Sequence, residues 1–426
     1  MARVSHAAHR DLRGGHARGR SPHRGDRVPE TPIDLERDGR RAARVAQRGR
    51  RSARVTPAEL DALYRRAVRA ASRGFGGAEP NPMVGCVIVD EAGAIVSTGF
   101  HRRCGGPHAE VDALAAAGGR ARGATAIVTL EPCAHRGRTG PCAEALADAG
   151  VARVYFAVAD PNPSAAGGAA RLRARGVEAE HRPHPLAAEL SLPFVHRVRT
   201  GLPWIAAKWA QSIDGAVALA SGESQWLSCA RSRRAVHRAR GRVDAILTGI
   251  GTVLADDPQL TARGVRVSRV ARRIVFDPDA MTPTEARVLS KDAPTEILVR
   301  ADLDARGAAR AERLAARGAT IRALGPRDSM REPLTALARD GVSTVLVESG
   351  GGVVGRLLAE DLLDEAWVFV APLVVGDEAA IRAVRGLDPT ALAGIARARL
   401  VSLRRRGADA LLQYRWRTAD ADPSTS

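Results

Sequence analysis

Three short motifs in fixed order, His108-Ala109-Glu110, Glu131-Pro132-Cys133 and Pro141-Cys142, constrain this chain more than any other feature. An imidazole and two thiols that act together must reach one point from three separate segments. Apolar runs around them predict strands over 84–89, 95–100, 124–130 and 153–158, with helices over 108–117 and 142–149. Thr56-Pro57 reads as an earlier helix start, with Thr as N-cap and Pro at the first helical position. Short strands alternating with helices imply an α/β layered domain, with each cysteine at a strand-to-helix connection.

The residue types point to metal chemistry. Removing an amino group from an aromatic ring carbon needs a hydroxide-like nucleophile at neutral pH and a proton for the departing ammonia. Zinc held by three N/S ligands keeps a fourth position for water and lowers the pKa of that water to about 7. His108, Cys133 and Cys142 supply such a ligand set, and Glu110 supplies the carboxylate that moves protons without binding metal. The order H-x-E, P-C, P-C is that of zinc deaminases, except that their C-x-x-C is widened to a gap of nine. Cys86 reads as a core thiol, Cys229 as a structural residue at a helix start, and Cys104 is not assigned as a ligand.

A chain of 426 residues predicts two or three domains. Hydrophobic residues make up 45% and aromatics only 3%, so the cores must be built from Ala, Val and Leu. No apolar run is long enough for a membrane span or a secretory signal, and five scattered cysteines form no disulfide framework, so a soluble cytoplasmic protein is expected. Residues 1–54 carry 15 Arg against 6 acidic residues, half of the whole excess of +18, with no helical or strand periodicity. This segment is expected to be a disordered Arg-rich tail, or translated sequence upstream of the true start.

The stretch 186–203, with Pro193 and Pro203 and just after Pro185, reads as a linker. A second α/β set follows, with strands over 204–209, 245–248, 274–276, 296–299, 344–348, 365–370 and 410–416 and a helix over 304–316. Val347-Glu348-Ser349-Gly350-Gly351-Gly352 closes a strand and opens a helix, where phosphate oxygens can approach backbone N–H groups at the positive end of the helix dipole. It is not the G-x-G-x-x-G fingerprint, which disfavours a Rossmann unit.

Pro80-Asn81-Pro82-Met83-Val84-Gly85, Pro107-His108-Ala109-Glu110-Val111, Glu131-Pro132-Cys133-Ala134-His135-Arg136-Gly137-Arg138-Thr139 and Asp160-Pro161-Asn162-Pro163 resemble the bifunctional riboflavin-biosynthesis deaminase–reductases. So do Lys208-Trp209-Ala210-Gln211-Ser212-Ile213-Asp214-Gly215, Leu247-Thr248-Gly249-Ile250-Gly251-Thr252 and the Gly350–Gly352 turn; the likeness runs from about residue 56 to 416. The resemblance implies a cytidine-deaminase-like three-layer domain over 55–200 and a dihydrofolate-reductase-like domain over 201–420, with Zn2+ and NADPH as cofactors. It implies deamination of 2,5-diamino-6-(ribosylamino)-4(3H)-pyrimidinone 5′-phosphate, then reduction of the ribosyl to a ribityl group. Cofactor contacts are implied at Ala210, Trp226, Thr248, Thr252 and Asp256, and along Gly350, Gly351, Gly352, Val353, Val354, Gly355 and Arg356. Substrate contacts are implied at Asn81, Ser224, Arg240, Leu260, Arg263 and Glu348, the two arginines suiting a 5′-phosphate. His135, Arg136 and Arg138 form a second candidate phosphate loop. A homo-oligomer is expected from the family.

The chain departs from the family pattern at Gly140 (usually Pro), at Gly168-Ala169 (usually Arg-Gly) and at Ala210 (commonly Gly). Two other readings compete. A nucleoside or nucleic-acid deaminase is disfavoured by the nine-residue Cys–Cys gap and by the scarcity of aromatics for stacking bases. An RNA-binding role would rest on the Arg-rich tail. Neither Lys208 nor Asp214 can be assigned as the reductase's proton donor from spacing alone.

Overall fold

The computed structural model describes residues 55–135, 140–388 and 396–416; the expected tail over 1–54 lies outside them, as do Arg136 and Arg138. The first described helix starts where the sequence places it. Thr56 caps the Pro57–Ala71 helix, its hydroxyl accepting from Glu59 N while the Glu59 side chain bonds back to the cap.

Five strands form the first sheet: β1 (Gly85–Val89), β2 (Ile95–Phe100), β3 (Thr125–Val128), β4 (Arg153–Phe156) and β5 (Glu178–His181). Their order is β2-β1-β3-β4-β5, with β1 antiparallel to both neighbours and β3-β4-β5 parallel. Both faces are covered, so β1, β3 and β4 are apolar on every position but their ends and buried throughout. Ala113, Ala117, Leu146 and Leu172 pack on one face, while Leu63, Tyr64, Ala67 and Ala187 pack on the other.

The expected linker is a helix, Pro185–Thr200, with Pro193 inside it. Prolines among polar residues suggest a linker there. Pro185 occupies the first helical turn, where a missing N–H costs nothing, and the helix buries Ala187, Leu192 and Val195.

The second sheet has nine strands. In chain order they are β6 (Trp204–Gln211), β8 (Ala245–Gly249), β9 (Arg272–Phe276), β10 (Thr295–Val299), β11 (Thr320–Ala323), β12 (Thr344–Val347), β13 (Glu365–Val370), β15 (Arg399–Arg406) and β16 (Asp409–Arg415); β7 (Ala216–Ala218) and β14 (Ile381–Arg382) pair separately. The spatial order is β11-β10-β9-β8-β12-β6-β13-β16-β15, parallel as far as β13 and then antiparallel. β12 lies between β6 and β8, so residues at the C-terminal ends of all three converge. As the composition requires, the core is Ala, Val, Leu and Ile with few rings.

Candidate functional site

In the first domain His108 is the residue before the Ala109–Ala117 helix, Cys142 opens the Cys142–Asp148 helix, and Cys133 lies in the connection after β3. His108 Nδ1 stands 3.2 Å from Cys142 Sγ and 3.6 Å from Cys133 Sγ. Ligand atoms of all three lie within 4.8 Å of one another, and among the described residues no other such group of three is found. A tetrahedral zinc with usual bond lengths places its N and S ligands about 3.5 Å apart, so this donor set fits the ion. Cys142 and His108 hydrogen bonds draw the Cys133 thiol down to about 4, the thiolate form a metal requires, and Cys142 N donates to the same sulfur. Cys104 is exposed and Cys86 is buried in β1, both apart from this group.

Glu110, one residue further into the helix than the ligand-bearing turn, is 3% exposed. Burial pushes its carboxyl up to about 7, suited to passing a proton at neutral pH, and a bound cation would draw it back down.

The Cys133 segment is pinned by the 160–171 stretch. Glu131 Oε1 accepts from Ala169 N at 3.0 Å and its Oε2 from Asp160 N at 3.3 Å, while Ala134 N donates to Ala165 O. A side chain on Gly168 would place Cβ 1.6 Å from Pro132 O, so with this backbone the position requires glycine. Ala169 acts through its backbone. Gly168 therefore serves in this chain as a close-packing glycine against the Pro132 backbone.

Asn81 lies half-buried in the loop before β1. Its Nδ2 is 3.3 Å from His101 Nε2, and His101 Nδ1 is 2.9 Å from Pro107 O. His101 was missed in the sequence. The available signal was its position, at the end of a strand in the segment leading to His108.

In the second domain Glu348, at the end of β12, is 6% exposed and takes three hydrogens from two cations. Arg240 Nε and Nη2 grip its carboxylate at 2.5 and 2.9 Å, and Lys208 Nζ on β6 lies 3.2 Å away. Burial alone would raise the Glu348 pKa, but the Lys208 and Arg240 charges outweigh it and hold the group at about 2. Arg240 spends its remaining reach on Thr261 O. Arg263 by contrast is exposed, its guanidinium bonded to the neutral Gln259 and Thr261 side chains and its backbone N–H to His237 Nδ1. Leu260 is buried at φ 52°, and the segment 259–263 lines a cavity of about 270 Å3 with Arg240.

Glu348 and the glycine turn are consecutive, so substrate-side and cofactor-side candidates meet on one junction. Gly350 precedes the Gly351–Ala359 helix without any side-chain cap, and its N–H bonds Thr252 Oγ1 at 3.2 Å. Gly352 is open, whereas Gly351 presses on Arg382 O and Gly355 on Arg385 O; Val353 and Val354 are buried. Uncapped N–H groups beside a glycine cradle fit a phosphate. Thr248 Oγ1 donates to Glu348 O, fixing β8 to β12. Ala210 is half-buried on β6, Ser224 accepts from Leu227 N, Asp256 is exposed, and Trp226 is 69% exposed with Arg233 over its ring. Asp214 is a turn residue, its carboxylate accepting from Val375 N and Gly376 N.

A family model described as the cytidine and deoxycytidylate deaminase zinc-binding region matches residues 57–158, and the RibD C-terminal domain matches 203–412. The chain is 41% identical to riboflavin biosynthesis protein RibD of Escherichia coli (strain K12), over 70% of this chain and 84% of that one. It is 39% identical to RibD of Mycobacterium tuberculosis (strain ATCC 25618 / H37Rv), over 79% and 91%. Among solved structures it is similar to Acinetobacter baumannii RibD, with TM-score 0.73 and 35% identity over 84% of this chain and 98% of that one. A Thermotoga maritima diaminohydroxyphosphoribosylaminopyrimidine deaminase/5-amino-6-(5-phosphoribosylamino)uracil reductase gives 0.72 and 30% over the same shares.

Proposed function

The chain belongs to the RibD family of riboflavin-biosynthesis proteins, and from that premise we propose how its own residues carry the two reactions. It is a bifunctional enzyme, a zinc deaminase and an NADPH-dependent reductase in one chain. The boundary between the two falls near residue 200, with the deaminase over 55–200 and the reductase over 201–420.

The first substrate is 2,5-diamino-6-(ribosylamino)-4(3H)-pyrimidinone 5′-phosphate. His108, Cys133 and Cys142 hold zinc, which supplies Lewis-acid activation of water at neutral pH. Glu110 passes one proton of the attacking water to the ring nitrogen and the second, from the hydroxyl so added, to the departing amino group, which leaves as ammonia. Asn81 holds the ring or ribose by its side-chain oxygen.

The deaminated product is then reduced at the ribosyl carbon, NADPH supplying the hydride. Thr248, Thr252 and the Gly350–Gly352 turn hold the cofactor, with Ala210, Trp226, Asp256 and the helix as far as Arg356 completing its contacts. Lys208 keeps N–H donors beyond the one facing Glu348, and with Glu348 and Ser224 it orients the sugar. Arg263 is the free cation for the 5′-phosphate, since Arg240 is neutralised by Glu348.

The convergence of His108, Cys133, Cys142 and buried Glu110 carries this reading. A coupled assay with the purified chain, the diaminopyrimidine phosphate and NADPH tests it. Ammonia release should precede NADPH oxidation, and release of ammonia from cytidine instead would overturn it. A homo-oligomer accords with Leu400 and Leu403 exposed on the edge strand β15, and light scattering checks it. A cytoplasmic setting accords with five free cysteines, and no helix among the described residues is long and apolar enough to cross a membrane.

A further inference from the structure

The loop that carries Asn81 is held from the other domain. Arg242 lies over the Phe75 ring at 5.8 Å, and a Cβ on Gly76 would lie 2.6 Å from Ser268 O. A Cβ on Gly341 would touch the Pro80 ring at 3.6 Å. Arg197, on the helix joining the domains, donates to Pro80 O at 2.7 Å. The polar centre of this contact is Glu79. Its carboxylate accepts Gly76 N at 3.2 and 3.1 Å, and Arg269 Nη2 at 3.1 Å.

Arg269 is anchored on its own side. Its other terminal nitrogen pairs with Asp244, whose second oxygen accepts Ser343 N, Thr344 N and Thr344 Oγ1, each at 2.9 Å. Arg269 N also donates to Gly241 O, directly after Arg240. Glu79, only 10% exposed in its side chain, bonds among the described residues to Arg269 and to its own loop. The same Arg269 borders the cavity lined by Arg240 and Arg263.

We propose that Arg269, a reductase-domain residue, is a positioning residue for the deaminase, holding the Asn81 loop in its substrate-binding form through Glu79. A carboxylate this buried loses most of its compensation when its one cation goes, so the loop would shift toward solvent and carry Asn81 with it. The effect falls on substrate binding. The zinc ligands and Glu110 sit on other segments, so the chemical step keeps its machinery.

The inference rests on Asn81 contacting the pyrimidine substrate, so the experiment includes that residue. Ammonia release is measured on the full zinc-loaded chain for Glu79→Gln, Arg269→Ala, Arg269→Lys, Asn81→Ala and the Glu79→Gln/Arg269→Ala double variant. Glu79→Gln and Arg269→Ala should each raise KM about tenfold, the size of one lost charge-assisted hydrogen bond, with kcat and zinc content within about twofold. Arg269→Lys should recover most of the loss. The double variant should be no worse than the poorer single one, because both remove the same contact. An unchanged KM in Glu79→Gln, a loss confined to kcat, or singles that multiply in the double variant would overturn the proposal. If Asn81→Ala itself leaves KM unchanged, the substrate reading of the loop fails and takes this inference with it. Raised KM in Asn81→Ala beside a silent Glu79→Gln sinks only the role of Arg269.

Discussion

Asn81 spends its side-chain nitrogen, and not its oxygen, on His101. His101 Nδ1 faces Pro107 O at 2.9 Å, and a carbonyl only accepts, so the proton is on Nδ1. Nε2 is then the acceptor for Asn81 Nδ2, at 3.3 Å, which turns Oδ1 the other way. Burial, the main influence, lowers the His101 pKa below 6.5 and keeps this tautomer neutral. Replacing His101 by Ala should raise KM for the pyrimidine by about tenfold, the value of one oriented hydrogen bond, with zinc content unchanged. Metal analysis beside ammonia-release kinetics checks this, and unaltered KM would show that Asn81 needs no such partner.

Glu110→Gln keeps the shape of the site and removes the proton carrier. Ammonia release should fall by 10²-fold or more, within the roughly 10²–10⁴ range of general acid–base catalysis. NADPH oxidation on the already deaminated substrate should be unaffected. Loss of both activities in a folded protein would mean that the two sites are not separate.

Gly168→Ala tests the packing behind Cys133. Its Cβ would collide with Pro132 O, so the Pro132-Cys133 backbone must move. We expect weaker zinc retention against a chelator and a destabilisation of about 1–3 kcal/mol, the usual cost of overpacking. Zinc retention equal to the parent would show that the segment yields freely.

Glu348 makes the reductase acid-sensitive in a defined window. Its pKa is about 2 in the folded protein against an ordinary 4.5. A depressed carboxylate contributes stability that is fully present above 4.5 and lost as pH falls toward 2, here on the order of 3 kcal/mol. Glu348→Gln, leaving Lys208 and Arg240 unbalanced, should lower stability by about 3–5 kcal/mol at pH 7. The gap between variant and parent should narrow between pH 4.5 and 2, measured by denaturant unfolding at several pH values. A gap independent of pH would remove the ion pair as its cause.

The zinc site was legible because its residue types are rare and their order is fixed by chemistry. His108, Cys133, Cys142 and Glu110 all stand where the motifs put them. Most strands were legible too, since runs such as Gly85–Val89 are buried on both faces. What the sequence concealed depends on distant partners. Arg273, the second residue of β9, is wholly buried, donating to the carbonyls of Gln259, Arg287, Ser290 and Ala293, whereas a charged residue just before an expected strand reads as surface. The Arg240–Glu348 and Arg269–Glu79 pairs join residues 108 and 190 positions apart, beyond any local pattern. Gly168 looked like a lost family residue until its contact with Pro132 gave it a reason.

The Pro185–Thr200 helix, where a linker is expected from the sequence, limits how the intermediate can travel. Sixteen residues of helix form a rod of about 24 Å, and such a rod cannot swing a bound molecule from one pocket to the other. The expected outcome is that the deaminated pyrimidine leaves the first site and is recaptured by the second as a free solute. A trap for the intermediate added to the solution should then intercept part of the flux.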